Sequence, residues 1–188
     1  MKHIILDLET LSTENNALIL SIGAVLIDSD SLCIVEHFYE TIDLKSSMEF
    51  PFHISSSTLE WWFNQSKEAI GSTFLTTRNR FSVLEVLTHF HNWCKNINGP
   101  WVIWGNSDSF DCTILENAYK IVNLTCPFNY LQFRDFRTMR ALFAHLKNID
   151  DEDTDLILHN ALDDAKWEAK YLIQIIKVLK EHVKINEF

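Results

Sequence analysis

IILDLET, residues 4–10, decides how this chain folds. Ile4, Ile5, Leu6 and Leu8 describe a strand buried on both faces, as in the middle of a sheet. Asp7 and Glu9 fit such a strand only if something compensates them. Alternate side chains along a strand share a face, so the two acids point one way while Leu6 and Leu8 point the other. Buried together, they require protons, cations or metal. Magnesium or manganese prefers oxygen ligands of this kind. The plain alternative is a solvated face on an edge strand.

The neighbouring segments favour the central position. ALILSIGAVLID (17–28) reads as a long second strand and CIVEHFYETID (33–43) as a third, which gives a meander. Gly23 inside the second strand marks a bulge or a close backbone approach. Ser57 with Glu60 predicts a capped helix from Thr58 to about Ser66, and Ser82 with Glu85 a second one. In that second helix Val83, Val86, Leu87, Phe90 and Cys94 line one face. Gly99 and Pro100 stop it. WVIWG (101–105) is another buried strand, DCTILENAYKIV (111–122) a helix, YLQFRDF (130–136) a short strand and RTMRALFAHL a further helix. From Ala161 an amphipathic helix of about 20 residues begins, with Asn160 as its cap. The order of elements gives an α/β fold with a central mixed sheet flanked by helices.

A chain of 188 residues with 47% apolar and 12% aromatic composition is long enough for one domain, 1–188, with a substantial core. Its formal charge of -10 excludes a basic-coated, non-specific duplex binder. It allows an acidic metal centre beside a small basic track, because bound divalent cations cancel part of the field. Cys33, Cys94, Cys112 and Cys126 form no CxxC pair. Asp7 and Glu9 interrupt the first apolar run, which removes a signal-peptide pattern, and no stretch approaches the roughly 20 apolar residues of a membrane span. The expectation is a cytoplasmic protein with reduced, mostly buried thiols.

Further acids lie where a site is expected. GNSDSFD (105–111) follows a buried strand, and α/β folds place ligands outside the carboxyl ends of their strands. Either Asp108 or Asp111 can serve, and Asp108 also suits a helix N-cap. HNALDDA (159–165) brings His159 near Asp163 and Asp164. The two acids differ by about 100° around the helix. Leu162, Ala165, Ala169 and Leu172 mark the inward face, and Asp164 lies nearer to it. A histidine in this position is also commonly a surface or capping residue. The acidic run DDEDTD (150–155) lacks the sixth-position glycine and twelfth-position glutamate of a calcium loop, so a solvated loop is expected there.

With these stretches in view, LDLET, GNSDSFD and HNALDDA resemble the three motifs of the DEDDh branch of the DnaQ-like 3'-5' exonuclease superfamily. LSIGAV, TLEWWFNQS and FRDFRTMRALF are most similar to the group containing the C-terminal nuclease domain of exonuclease VIII and the phage exonuclease DexA. The likeness spans residues 3 to about 176. It implies a ribonuclease H-like fold and hydrolysis of single-stranded or 3'-overhang DNA or RNA from the 3' end, releasing 5'-mononucleotides. The motif positions carry over to Asp7 and Glu9, Asp111, and His159 with Ala161 and Asp164, leaving Asp108 and Asp163 as structural or supporting acids.

The resemblance also implies two Mg2+ or Mn2+ ions, roughly 4 Å apart in such centres. Asp7 would bridge them, Glu9 and Asp164 would hold the ion that activates water, and Asp111 the other. His159 would take the proton of the attacking water. Thr10 and Leu11, just after the first motif, would meet the terminal nucleotide. Phe110 and Trp61 or Trp62 offer apolar platforms for bases, with simple packing as the alternative. Asn106 either contacts the substrate backbone or fixes its own loop. Arg137 and Arg140 share a helix face and either touch phosphate or pair with Asp135. Many relatives dimerise, so a homodimer is a further expectation. Two other readings stay open: a ribonuclease H-like two-metal endonuclease, and a non-catalytic nucleic-acid-binding module.

Overall fold

The computed structural model describes residues 1–75, 80–146 and 156–182. The acidic run 150–155 lies outside them. Among the described residues five strands form one sheet in the order β3-β2-β1-β4-β5. β1 (Lys2–Thr10), β2 (Ile19–Asp28) and β3 (Cys33–Thr41) are an antiparallel meander. β4 (Trp101–Gly105) and β5 (Phe133–Asp135) add parallel to the other side of β1. The strand carrying Asp7 and Glu9 is therefore the middle one.

Strand alternation sorts the core into two halves. Ile4, Leu6 and Leu8 join a cluster with α4 (Val83–Lys95) and α5 (Asp111–Ile121) on one face of the sheet. Ile5, Val25 and Ile27 join another with Phe136 and with α7 (Ala161–His182). Asp7 and Glu9 have the parity of Ile5, so they emerge toward α7. A smaller cluster gathers Leu11, Leu18, Leu20, Trp62 and Ala69 beyond the end of β1.

The ends of the helices follow local hydrogen bonding. α4 has the expected capping box, with Ser82 and Glu85 satisfying each other's backbone N–H groups. After the short α1 (Leu44–Ser47), α2 (Ser56–Phe63) begins earlier than Ser57 and Glu60 predict, because Ser55 accepts from the Thr58 N–H. It also stops sooner. The Asn64 and Gln65 side-chain amides donate to the carbonyls of Glu60 and Trp61, and a separate helix, α3 (Lys67–Phe74), starts at Ser66. The stretch 130–136 is strand only from Phe133; Tyr130–Gln132 is a 3-10 turn capped by Asn129. The helix expected after it is α6 (Phe136–Leu142), capped by Asp135. Cys33, Cys94, Cys112 and Cys126 are all free thiols. Among the described residues no helix is long and apolar enough to cross a membrane.

Candidate active site

Two glycines permit the site to close. Gly23 sits opposite Asp7 in the β1–β2 register. A Cβ on it would fall 2.2 Å from the carbonyl carbon of Ala161 and 2.4 Å from the Leu162 nitrogen. The first turn of α7 thus rests directly on the β2 backbone beside Asp7, the close approach that an in-strand glycine signals. Gly105 ends β4, and a Cβ there would lie 2.9 Å from the Asp111 Cβ and 3.0 Å from its Oδ2. Asp111 consequently folds back against the end of β4, although α5 packs on the opposite face of the sheet from α7.

The stretch before α7 is held by its own acids. Asn160 Oδ1 accepts from the Leu162 and Asp163 N–H groups, and its amide donates to the Tyr39 hydroxyl at 3.0 Å. Asp163 accepts from the Ile157 N–H at 3.1 Å and pairs with Lys166 at the same distance. Its carboxylate is thus occupied in bracing the loop. Asp164 accepts from the His159 N–H at 3.0 Å. His159 itself has φ 63°, in the left-handed region that non-glycine residues seldom occupy.

These constraints bring Glu9, His159 and Asp164 together: one ligand atom from each lies within 4.8 Å of the other two. Asp7, Glu9, His159, Asp163, Asp164, Asn106 and Phe110 line one cavity of about 850 Å³. Asp111 is only 2% exposed and flanks it through Asp7. Burial raises Asp7 well above the usual carboxylate range, and repulsion from Asp111, Glu9, Glu168 and Asp164 adds to the effect. Burial, then Asp164 and Asp111, push Glu9 up to about 8. Burial takes Asp111 to about 7 against the pull of the backbone amides of Ser107, Leu8 and Asn106. Asp164 rises to about 6, chiefly by burial. Burial lowers His159, which favours the neutral ring.

Crowded acids that resist ionisation have the chemistry a hard cation selects: oxygen donors with too little positive charge around them. The residues therefore fit divalent metal. Glu168 belongs to the same group and was missed in the sequence. It is 3% exposed, and its Oε2 is buried without a hydrogen-bond partner. The signal was its position four residues after Asp164, between Ala165 and Ala169 on the inward face.

The other predicted residues divide. Thr10 lines the cavity, but its hydroxyl donates to the Ser12 carbonyl at 2.7 Å and holds the turn. Leu11 lies in the small apolar cluster, away from the cavity lining. Trp61 lines the cavity and meets the His159 ring edge-on at 4.8 Å, whereas Trp62 is buried and donates to the Thr10 carbonyl. Asn106 fixes the loop through its carbonyl, which accepts from the Arg137 N–H, while its side-chain Oδ1 is buried and unpartnered. Arg137 is exposed and outside the lining; Arg140 lines the cavity instead, its guanidinium 5.9 Å from the Trp167 ring centre. Asp108 does not cap α5, whose N-cap is Phe110 without a side-chain bond. The Asp108 N–H instead reaches Asp135 at 3.4 Å.

The sheet order and the flanking helices define an α/β, ribonuclease H-like fold. Solved structures with this arrangement include cell-death related nuclease 4 (TM-score 0.64, 16% identity, covering 94% of this chain and 64% of that one). The nuclease domain of 3'hExo, a DEDDh family member bound to rAMP, matches at TM-score 0.63 and 15% identity over 98% of this chain and 94% of its own. A zinc-bound complex of E. coli exonuclease I with single-stranded DNA matches at TM-score 0.64 and 15% identity over 96% of this chain and 41% of that one. The chain thus spans less than two thirds of the nuclease 4 and exonuclease I structures. No curated protein matches it in sequence. Residues 2–176 match the model of the Rv2179c-like 3'-5' exoribonuclease domain, and the chain belongs to that family.

Proposed function

We propose that this protein is a metal-dependent 3'-5' exonuclease that shortens single-stranded or 3'-overhang nucleic acid to 5'-mononucleotides. The observation that carries the reading is the meeting of Glu9, His159 and Asp164 within 4.8 Å, beside Asp7 and Asp111. RNA is the polymer named by the family description, and it is the first substrate to test. The finer likeness to the exonuclease VIII and DexA group rests on the linking segments of sequence quoted above.

In this reading Glu9 and Asp164 would hold one divalent cation and Asp111 a second, with Asp7 available to either. Bound there, the cations supply charge for the phosphoryl oxygens and lower the pKa of water. The neutral His159 ring accepts the proton of the attacking water, a task suited to a base with a near-neutral pKa. The Asp164 hydrogen bond to the His159 N–H holds the backbone from which that ring projects. Trp61 and Phe110 give the terminal base an apolar wall. Asp7 and Glu9, set in a central strand, cannot drift apart as substrate enters.

End-labelled single-stranded RNA, the matched DNA and a 3'-overhang duplex, each digested with Mg2+ or Mn2+, test the proposal. Mononucleotides from the earliest times support it. Internal fragments would assign a ribonuclease H-like endonuclease instead, and binding without cleavage a non-catalytic module. An Asp7→Asn control shows that cleavage belongs to this site.

A further inference from the structure

We infer that Glu168 is a fifth carboxylate of the metal centre, serving the cation shared by Asp7 and Asp111. The inference deepens the two-metal reading and rests on it. Its first support is position. Glu168 lies one helical turn beyond Asp164 on α7 and lines the same cavity as Asp7 and Glu9.

The second support is an unmet need. Glu168 is 3% exposed, and its Oε2 has no hydrogen-bond partner. A buried carboxylate oxygen left in that condition carries the full cost of its lost hydration. Arg140 and Arg137 offset it only at a distance, and the Arg140 guanidinium is laid over Trp167. A structural glutamate of this burial is expected to hold its arginine directly.

The third support is the shortage of protein ligands for one of the two cations. The strongest repulsion on Glu168 comes from Asp111 and then Asp164, and it in turn repels Asp7. In the two-metal reading Glu9 and Asp164 would serve one cation and Asp7 with Asp111 the other, so Glu168 is the buried acid of the cavity left to serve that second position. A further oxygen there strengthens the position that otherwise has the fewer protein ligands.

Calorimetric titration of Mn2+ into the apoprotein, with saturating adenosine 5'-monophosphate, reads this directly in wild type, Glu168→Gln and Asp7→Asn. Wild type should show two binding events. Glu168→Gln should keep the first and weaken the second by tenfold or more, with a matching rise in the Mg2+ concentration needed for half-maximal cleavage. Asp7→Asn should weaken both. Unchanged Mn2+ affinities in Glu168→Gln, with Asp7→Asn impaired, would overturn the inference and leave the two-metal reading standing. Wild type with fewer than two events, or an Asp7→Asn isotherm like that of wild type, would overturn the two-metal reading itself. A fall in Tm in EDTA with an unchanged isotherm would make Glu168 a structural partner of Arg140. Glu168→Asp, which keeps the charge, is read the same way if the glutamine variant does not fold, and its shorter reach should again weaken only the second event.

Discussion

The His159 backbone N–H donates to Oδ2 of Asp164 at 3.0 Å, so the histidine and the acid of one motif are fixed to each other before any ligand arrives. The bond is made by the main chain and leaves the imidazole free to act. It also sets His159 at φ 63°, a conformation asparagine tolerates better than alanine does.

His159→Asn should therefore keep the local fold and lose the base. Cleavage of a 3'-labelled oligonucleotide should fall by about 10²–10⁴-fold, while Mn2+ and mononucleotide affinities measured by calorimetry stay within about twofold of wild type. Turnover near the wild-type rate would remove His159 from the mechanism.

Gly23 and Gly71 make a paired test of backbone packing. Gly23→Ala puts a methyl group 2.2 Å from the Ala161 carbonyl carbon and should destabilise the fold by about 1–3 kcal/mol or more, with activity lost as α7 is pushed off β2. Gly71 lies inside α3 with open space at its Cβ. Gly71→Ala should stabilise by about 0.5–1 kcal/mol. Chemical denaturation of both variants decides the matter; equal effects would contradict the close contact at Ala161.

The crowded acids predict an unusual pH dependence. Glu9, Asp111 and Asp164 bind protons more tightly when folded, with values near 8, 7 and 6 against ordinary values of 4.5, 3.8 and 3.8. Their contribution to stability is complete below about pH 4. It is lost as pH rises through 6 to 8, because the unfolded chain ionises freely while the folded one resists. In EDTA, Tm should fall between pH 5 and pH 8, and Mn2+ should flatten that fall by replacing protons. A metal-free Tm that climbs over the same interval would show that these carboxylates are not crowded.

Trp61 and Trp62 should separate binding from folding. Trp62→Ala removes a buried ring that donates to the Thr10 carbonyl and should cost about 3–5 kcal/mol of stability. Trp61→Ala leaves an exposed position and should keep Tm nearly unchanged. It should instead weaken single-stranded oligonucleotide binding by about 1–3 kcal/mol. Fluorescence anisotropy with a non-cleavable oligonucleotide would expose an identical loss in both.

Much of this arrangement could be read from periodicity. The parity of Asp7 and Glu9 against Leu6 and Leu8 is the parity that divides the two core clusters. The helical angle between Asp163 and Asp164 is the one that turns one acid to the loop and the other toward Glu9. Gly23 marked either a bulge or a close approach, and its contact with Ala161 makes it the second. The failures came where non-local packing decides. Leu11 turns into an apolar cluster assembled from β2 and two helices, which no spacing after the first motif reveals. Arg137 and Arg140 looked equivalent, but the orientation of α6 sends only Arg140 to the cavity. Glu168 went unread, because a lone acid between Lys166 and Lys170 gives no sign of burial until its surroundings are known.

The cavity draws on both extremes of the numbering, Asp7 at one and Asp164 at the other, with Gly23 as the seat on which the later helix comes to rest. A growing polypeptide halted before residue 161 contains the sheet but not the helix that closes the acid cluster over it. Contacts so distant along the chain form late. During synthesis the acid cluster accordingly stays incomplete until α7 has emerged.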